Sequence, residues 1–491
     1  MNLQTVLDYV PFYETTDIEK IKEIEIKGVQ VDSRSIKDGE LFVCIKGYTV
    51  DGHDYVEQAI KNGAVAVVSE KEIDIAVPVI VVSNTSRVLG LIANKYYENP
   101  SKKFPLIGIT GTNGKTTITY LLESIYNTHK QKTGVIGTIQ MKIGHDVYPV
   151  ANTTPDALSL QKSFYQMREE KVDTAIIEVS SHALDLGRVH GVDFDVAIFT
   201  NLSQDHLDYH EDMRDYLFAK SLLFSQLGNV YEDSKPKFAI LNADDEHMEF
   251  LKKSTAQPVV TYSRTKKADV YATDIELEVT HTRFNMHTPK GSVQIDSNLI
   301  GMFNVSNMLA ASAAALMQDI PLETIKIALE NLEGVDGRFE AVTAGQSFAC
   351  IVDYAHTPDS LENVLQTVNE FVKGKVYVVV GCGGDRDRTK RPLMANIAVK
   401  YADLAILTSD NPRTEDPTRI LEDMTADLKS DHYLTIESRE QAIQHAVEIA
   451  EDGDIIVIAG KGHETYQIIG HTKYDFDDRV IAKQAIEKKV K

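Results

Sequence analysis

Residues 106–126, LIGITGTNGKTTITYLLESIY, pass from an apolar run through a glycine-punctuated loop directly into a helical pattern. A strand-length run that is apolar throughout reads as buried on both faces, which is the habit of parallel sheets. A parallel strand needs a crossover, and here the helix follows at once. The segment therefore points away from all-helical and purely antiparallel folds and towards an α/β chain.

The same alternation recurs almost throughout. GVQVDSRS, GELFVCIKG and AVAVVS read as strands, with helices at DYVEQAIKNG and SRVLGLIANKYY. Beyond the opening segment, TGVIGTI, DTAIIEVSS, VAIFTNLS and FAILNADD read as strands, and NMLAASAAALMQ as an alanine-rich helix. From Asp269 to Gly301 the period drops to two, which predicts an antiparallel excursion at a sheet edge. FACIVDYAHTP, KVYVVVGCGGDRD, ADLAILTSDNPR and DIIVIAGKGHE resume the strand-to-helix rhythm. Breaks rich in Pro, Gly and Lys fall at 98–105 (ENPSKKFP) and, with two glycines, at 333–340 (EGVDGRFE). For 491 residues, about three domains are expected. They are a smaller N-terminal α/β unit (1–100), a central P-loop-type unit with a mostly parallel sheet (101–334) and a C-terminal Rossmann-like unit (335–491).

A net charge of −22 disfavours a broad nucleic-acid or membrane surface, because both polyanions repel an acidic protein. It leaves room for an anionic small substrate held in a cleft by a few cations. The apolar runs are strand-length, and the N-terminal stretch shows no basic segment leading into an apolar one. Cys44, Cys350 and Cys382 lack paired spacing, as in a reducing compartment. A cytoplasmic protein is expected, with no membrane insertion and no nucleic-acid partner.

The glycine loop departs from the usual phosphate-binding pattern of Gly, four residues, then Gly-Lys-Ser/Thr. Ile109 stands where the first glycine belongs, with Gly108 before it and Gly111 after it. The parts still suit a phosphate. Gly111 and Gly114 permit tight turns, Lys115 brings a point charge, Thr116 a hydroxyl for Mg²⁺, and the helix its N-terminal dipole. A plain turn with a solvated lysine would not call for Gly-Lys-Thr-Thr where strand becomes helix. Glu178 closes the next strand, as a Mg²⁺ ligand or a loop cap would. His206 follows another strand. Lys220 lies mid-helix with Leu217 and Phe224 along its face, and by itself reads as an ordinary solvated lysine.

GTNGKTT is accompanied, in order, by VDSRSIKDGELFVCIKG, NTTPDAL, EVSSHAL, TNLSQDHLDYH, AKSLLF, FNVSN, GRFE, DYAHTPDSL and DNPR. This set resembles the Mur ligase family, which also includes folylpolyglutamate and cyanophycin synthetases. Within it, the likeness is to members adding the third residue of the peptidoglycan stem peptide. The resemblance implies ATP-dependent activation of the γ-carboxylate of UDP-N-acetylmuramoyl-L-alanyl-D-glutamate as an acyl phosphate. An amino acid then attacks, releasing phosphate and leaving ADP.

By the same resemblance, ATP falls to Gly111, Thr112, Asn113, Gly114, Lys115, Thr116 and Thr117, with Asn304, Arg338 and Asp353. Lys115, Glu178, His206 and Lys220 are the catalytic set. Thr116, Glu178, His206 and Lys220 are the Mg²⁺ ligands, Lys220 through a carbamate formed with CO₂. Ser33, Asn152, Thr153, Thr154, Ser180 and Arg188 are expected on the UDP substrate, and Leu186 stands where many relatives have Gln. Arg386, Asp410, Asn411, Pro412, Arg413, Gly460 and Glu464 are expected on the incoming amino acid. Two arginines suit an added residue with a distal carboxylate, so meso-diaminopimelate is expected in preference to lysine. A lysine-adding member, a folylpolyglutamate-type ligase and a nucleotide-binding switch are the alternatives, and a monomer is expected.

Overall fold

The computed structural model describes residues 1–47, 50–150, 152–228, 236–278 and 281–490. They build three main sheets and one small hairpin, Tyr466–Ile469 with Thr472–Asp475. The first sheet orders its strands Glu14–Thr15, Val79–Val81, Ala64–Ser69, Glu40–Val43, Gly28–Gln30, parallel except for the first pair.

The central sheet has eleven strands. Its parallel heart runs Val270–Leu277, Val259–Ser263, Phe238–Asn242, Val196–Phe199, Leu106–Thr110, Thr174–Glu178, Thr133–Ile136. Thr282–Thr288 and Gly291–Ser297 extend one edge antiparallel, as the alternating segment predicts, with residues 279 and 280 lying outside the described residues. Met141–Ile143 and Asp146–Tyr148 extend the other edge. Those two strands and Val259–Ser263 are not among the sequence expectations. The edge hairpin has strands of only three residues, turning at Gly144 with φ +60, too short to carry a period-two signal.

Helices cover both faces of the central sheet. Ile118, Leu122 and Ile125 of Lys115–Thr128 pack with Leu309 and Ala313 of Met302–Met317. In that second helix Ala310, Ala311, Ala313, Ala314 and Ala315 are all fully buried, so it is sheathed on every side. On the opposite face Leu217, Leu223 and Phe224 of Met213–Ser225 join Phe164 and Phe194.

The third sheet runs Glu340–Ala341, Ala349–Asp353, Ile455–Ala459, Val376–Cys382, Leu404–Ser409, Tyr433–Thr435, parallel after its first pair. Strand order now locates the chemistry, because functional groups in parallel sheets gather beyond the carboxyl ends of the strands. Phe199, Thr110 and Glu178 end three adjacent central strands, while Asp353, Ala459, Cys382 and Ser409 end four adjacent strands of the third sheet. Among the described residues no helix is long and apolar enough to cross a membrane.

Candidate active site

The loop after Leu106–Thr110 is held open by its glycines. Gly111 and Gly114 have φ of +146 and +88, and a Cβ would run into Thr200 Oγ1 at the first and Asn307 Oδ1 at the second. The neighbouring strand end laces the loop in place: Thr112 N donates to Asn201 O at 2.9 Å and Asn113 N to Asn201 Oδ1 at 2.9 Å. Lys115 opens the helix and folds back, donating from Nζ to Gly111 O (2.9 Å) and Thr112 O (2.8 Å). Its burial lowers its pKa, against the opposing pull of Glu178 and Asp205.

Lys220 reaches the same carbonyl from the other side, donating to Gly111 O at 2.9 Å, with its ammonium 4.2 Å from the centre of the Tyr216 ring. It is 1% exposed, so the default of a solvated lysine does not hold here. The helix is pressed against the sheet on that face, and burial, aided by Lys115, pushes the Lys220 pKa well below its ordinary value. The neutral amine is therefore favoured.

Glu178 is fully buried, and its carboxylate accepts from Thr138 N at 3.0 Å and Thr138 Oγ1 at 2.9 Å. His206 sits at φ +57 with Nε2 3.4 Å from Asp205 Oδ2. Desolvation in the cleft, only partly offset by Asp205, pushes its pKa down to about 3, which leaves a neutral imidazole. Among the described residues no group of three or more His, Cys, Asp or Glu is arranged to hold a metal ion. Lys115, Thr116, Glu178 and His206 nonetheless line one cavity of about 920 Å³. Such a sparse donor set fits Mg²⁺, which keeps several waters and takes one or two carboxylates plus phosphate oxygens.

A second cavity, of about 260 Å³, opens on the other side of the loop, and Asn113, Gly114, Thr116, Arg338 and Tyr354 line both. Arg338 lies 4.5 Å over the Tyr354 ring and donates from Nη2 to Thr116 Oγ1 at 3.2 Å. Among the described residues its Nε is buried without a protein partner, as befits a group that would meet a ligand oxygen. Asp353 is in this wall and accepts from Phe339 N (2.6 Å) and Ala355 N (2.7 Å). Asn304 is not in it. Its amide donates to Ile300 O at 2.8 Å and accepts from Asn307 at 3.1 Å, and Asn307, one helical turn on, faces the cavity instead.

Asn152, Thr153, Thr154, Ser180 and Arg188 all line the larger cavity. Thr154 Oγ1 donates to Glu178 O at 2.8 Å and Arg188 Nη1 to Thr154 O at 3.0 Å, which ties this wall to the Glu178 strand. Ser33 lies outside both cavities, buried in the first sheet's unit 3.4 Å from Gln58 Oε1. Leu186 caps the helix Ser181–Asp185 and is likewise absent from the walls.

The third sheet supplies the far wall through Arg386, Asp410, Asn411, Arg413, Gly460 and Glu464. Pro412 is not part of it, its carbonyl packing against Gly384. Arg413 has φ +52, a strained turn position held by the hairpin: its N donates to Ile468 O at 3.1 Å, and Gly470 N donates to its O at 2.7 Å. Its Nη1 donates to Gly384 O at 2.7 Å. Burial and the neighbouring Arg386 lower the Arg413 pKa. The sequence reading missed His182, Asp205, Tyr354, His356, Lys390, Lys461 and His463. Lys461 is walled in behind the cavity, and the other six line it. Asp205 and Lys461 each adjoin a residue that was singled out, but no spacing rule marks them.

Three family models match the chain: "Mur ligase family, catalytic domain" over 25–97, "Mur ligase middle domain" over 109–315, and "Mur ligase, glutamate ligase domain" over 337–462. The chain is 58% identical to a UDP-N-acetylmuramoyl-L-alanyl-D-glutamate–2,6-diaminopimelate ligase of Oceanobacillus iheyensis, across 100% of both proteins. It is similar to a solved structure of a ligase of that name, with 35% identity, TM-score 0.71 and 99% of each chain covered. A MurF ligase of Thermotoga maritima in complex with ADP shares the fold, with TM-score 0.65 at 16% identity, over 94% of this chain and 97% of that one.

Proposed function

The chain belongs to the Mur ligase family, and on that premise we infer that it joins 2,6-diaminopimelate to UDP-N-acetylmuramoyl-L-alanyl-D-glutamate at the expense of ATP. One observation carries the reading: the glycine loop, the buried Glu178 and the pocket of Arg386, Arg413 and Glu464 open into one cavity.

The triphosphate lies along the loop 111–117, where backbone N–H groups and the helix N-terminus meet its charge and Lys115 adds a cation. Arg338 and Asp353 hold the nucleoside end in the smaller cavity, with Arg338 bringing the third sheet's unit onto Thr116. Asn152, Thr153, Thr154, Ser180 and Arg188 hold the acyl substrate so that its γ-carboxylate faces the terminal phosphate. Ser33 belongs to the distant uridine end. The carboxylate oxygen takes the phosphoryl group and ADP leaves. The amine of diaminopimelate then attacks the carbonyl carbon, a C–N bond forms, and phosphate departs with the C–O bond electrons.

Thr116, Glu178 and His206 are the residues that would hold Mg²⁺, which when bound neutralises charge among the phosphate and carboxylate oxygens. The buried Lys220 amine, its pKa pushed well below that of an ordinary lysine, suits reaction with CO₂ to an anionic carbamate, losing a proton as it forms and adding an oxygen donor. Arg413 and Arg386 suit the distal carboxylate that separates diaminopimelate from lysine. The meso isomer is the substrate in this reading. The units 1–100, 101–334 and 335–491 bring acyl substrate, ATP and amino acid respectively.

Release of ADP and phosphate should require both the UDP-dipeptide and diaminopimelate, and should stop on chelation of divalent metal. Release of AMP, or turnover indifferent to diaminopimelate, would overturn the reading.

A further inference from the structure

Lys461 lies in the turn after Ile455–Ala459 and is wholly buried, an unusual setting for a lysine. Its Nζ donates to Glu464 Oε2 at 2.9 Å and to Asn411 Oδ1 at 3.1 Å. Asn411 Nδ2 in turn donates to the same Glu464 oxygen at 2.9 Å, and Asn411 Oδ1 also accepts from Ile468 N at 2.9 Å. The three side chains close a triangle. With Lys461 and the Ile468 N–H as donors to one end of the amide, only its NH₂ can face Glu464.

The triangle leaves Glu464 with one oxygen committed twice. Its Oε1 takes no hydrogen bond from either of these two partners, the Tyr466 hydroxyl bonds the carboxylate as well, and the residue stands in the cavity wall with a side chain 15% exposed. We propose that Lys461 is a positioning residue that fixes the Glu464 carboxylate as the receptor for the distal ammonium of the amino-acid substrate. The proposal deepens the reading above and rests on it.

The consequence is stereochemical. A distal carbon bearing both a carboxylate and an ammonium can be distinguished from its mirror form only if the two receptors are held apart at fixed positions. Arg413 is fixed by its backbone ties to the hairpin, and Glu464 by Lys461 and Asn411. A Glu464 free to change rotamer could meet the ammonium of either configuration. Lys461 thereby contributes to preference for one isomer without touching substrate.

The test uses the full chain and steady-state kinetics with meso- and LL-diaminopimelate. In Lys461→Met, KM for the meso isomer should rise about tenfold or more, and the meso-over-LL preference should fall by a similar factor. The kcat and the KM for ATP should stay within about twofold, since neither ATP nor the reacting amine touches this triangle. The double variant with Glu464→Gln should discriminate no worse than Glu464→Gln alone, because Lys461 acts through Glu464. If Lys461→Met does not fold, Lys461→Gln carries the same expectations. Unchanged isomer preference, or effects that add in the double variant, would overturn the proposal. A wild-type protein that does not turn over with diaminopimelate would instead sink the functional reading.

Discussion

The glycine loop and the arginine-lined pocket proposed for the amino acid face each other across one cavity, both set on parallel-strand ends, yet they are made of different material. The loop is local and largely backbone: residues 111–117, two glycines at positive φ, N–H groups and carbonyls, with Lys115 and Lys220 both donating to Gly111 O. The pocket is non-local and made of side chains, with Arg386, Arg413 and Glu464 arriving on three separate loops of the third sheet and Lys461 held behind Glu464. Backbone groups cannot be exchanged by substitution, so the loop suits the ATP chemistry that a whole family shares. Side-chain charges can be exchanged one at a time, so the pocket is where a choice of amino acid can be written.

That division predicts separable kinetics. The largest effect is expected from Glu178→Gln, which keeps the shape but removes the charge of a fully buried carboxylate at the loop. The kcat for ADP release should fall about 10³-fold, while KM for diaminopimelate stays within about threefold. A change mainly in that KM would break the comparison.

The next effect lies across the cavity. Arg413→Gln removes a guanidinium whose backbone is already held at φ +52, so the turn survives and the charge is lost. KM for diaminopimelate should rise about 30-fold or more, and preference over lysine should shrink, with kcat changing far less. Both follow from competition assays with the two amino acids. A kcat loss equal to that of Glu178→Gln would show that the pocket also does chemistry.

The same contrast explains what was legible in the sequence. The strand-loop-helix at 106–126 announces itself because its signals are contiguous, and the strand Leu106–Thr110 and helix Lys115–Thr128 follow it closely. The hairpin Met141–Tyr148 was silent because strands of three residues are too short to show a period. Lys220 shows the limit within the site. A mid-helix lysine by itself reads as solvated even in this apolar helix, and only the pairing of that helix with Gly111, 109 residues away, shows it buried. Asn304 and Asn307 show another limit: FNVSN holds two asparagines one turn apart, and only helix rotation against the cavity chooses the second. Lys461 carried no signal, because a buried lysine is recognised by its partners.

The smallest effect tests where the two regions join. Asp359 opens the helix Pro358–Asn369 of the third sheet's unit, yet its Oδ2 accepts from Asn113 Nδ2 at 2.9 Å and from Ser203 Oγ at 3.2 Å, both beside the phosphate loop. The link has two opposed consequences. As a hydrogen-bonded anion it holds the third unit onto the loop, and as a negative charge in the cavity proposed for the nucleotide it would repel a triphosphate. Asp359→Asn keeps an acceptor but discharges it, weakening two hydrogen bonds by about 1 kcal/mol in all. If the tether dominates, KM should rise about fivefold or less for ATP and for diaminopimelate alike, because loosening one unit against the other opens both halves of the site. If repulsion dominates, KM for ATP falls and KM for diaminopimelate holds. The proximity of the acceptor to two neutral donors, with Arg338 bridging the same units at Thr116, favours the tether, so the two constants are expected to move together.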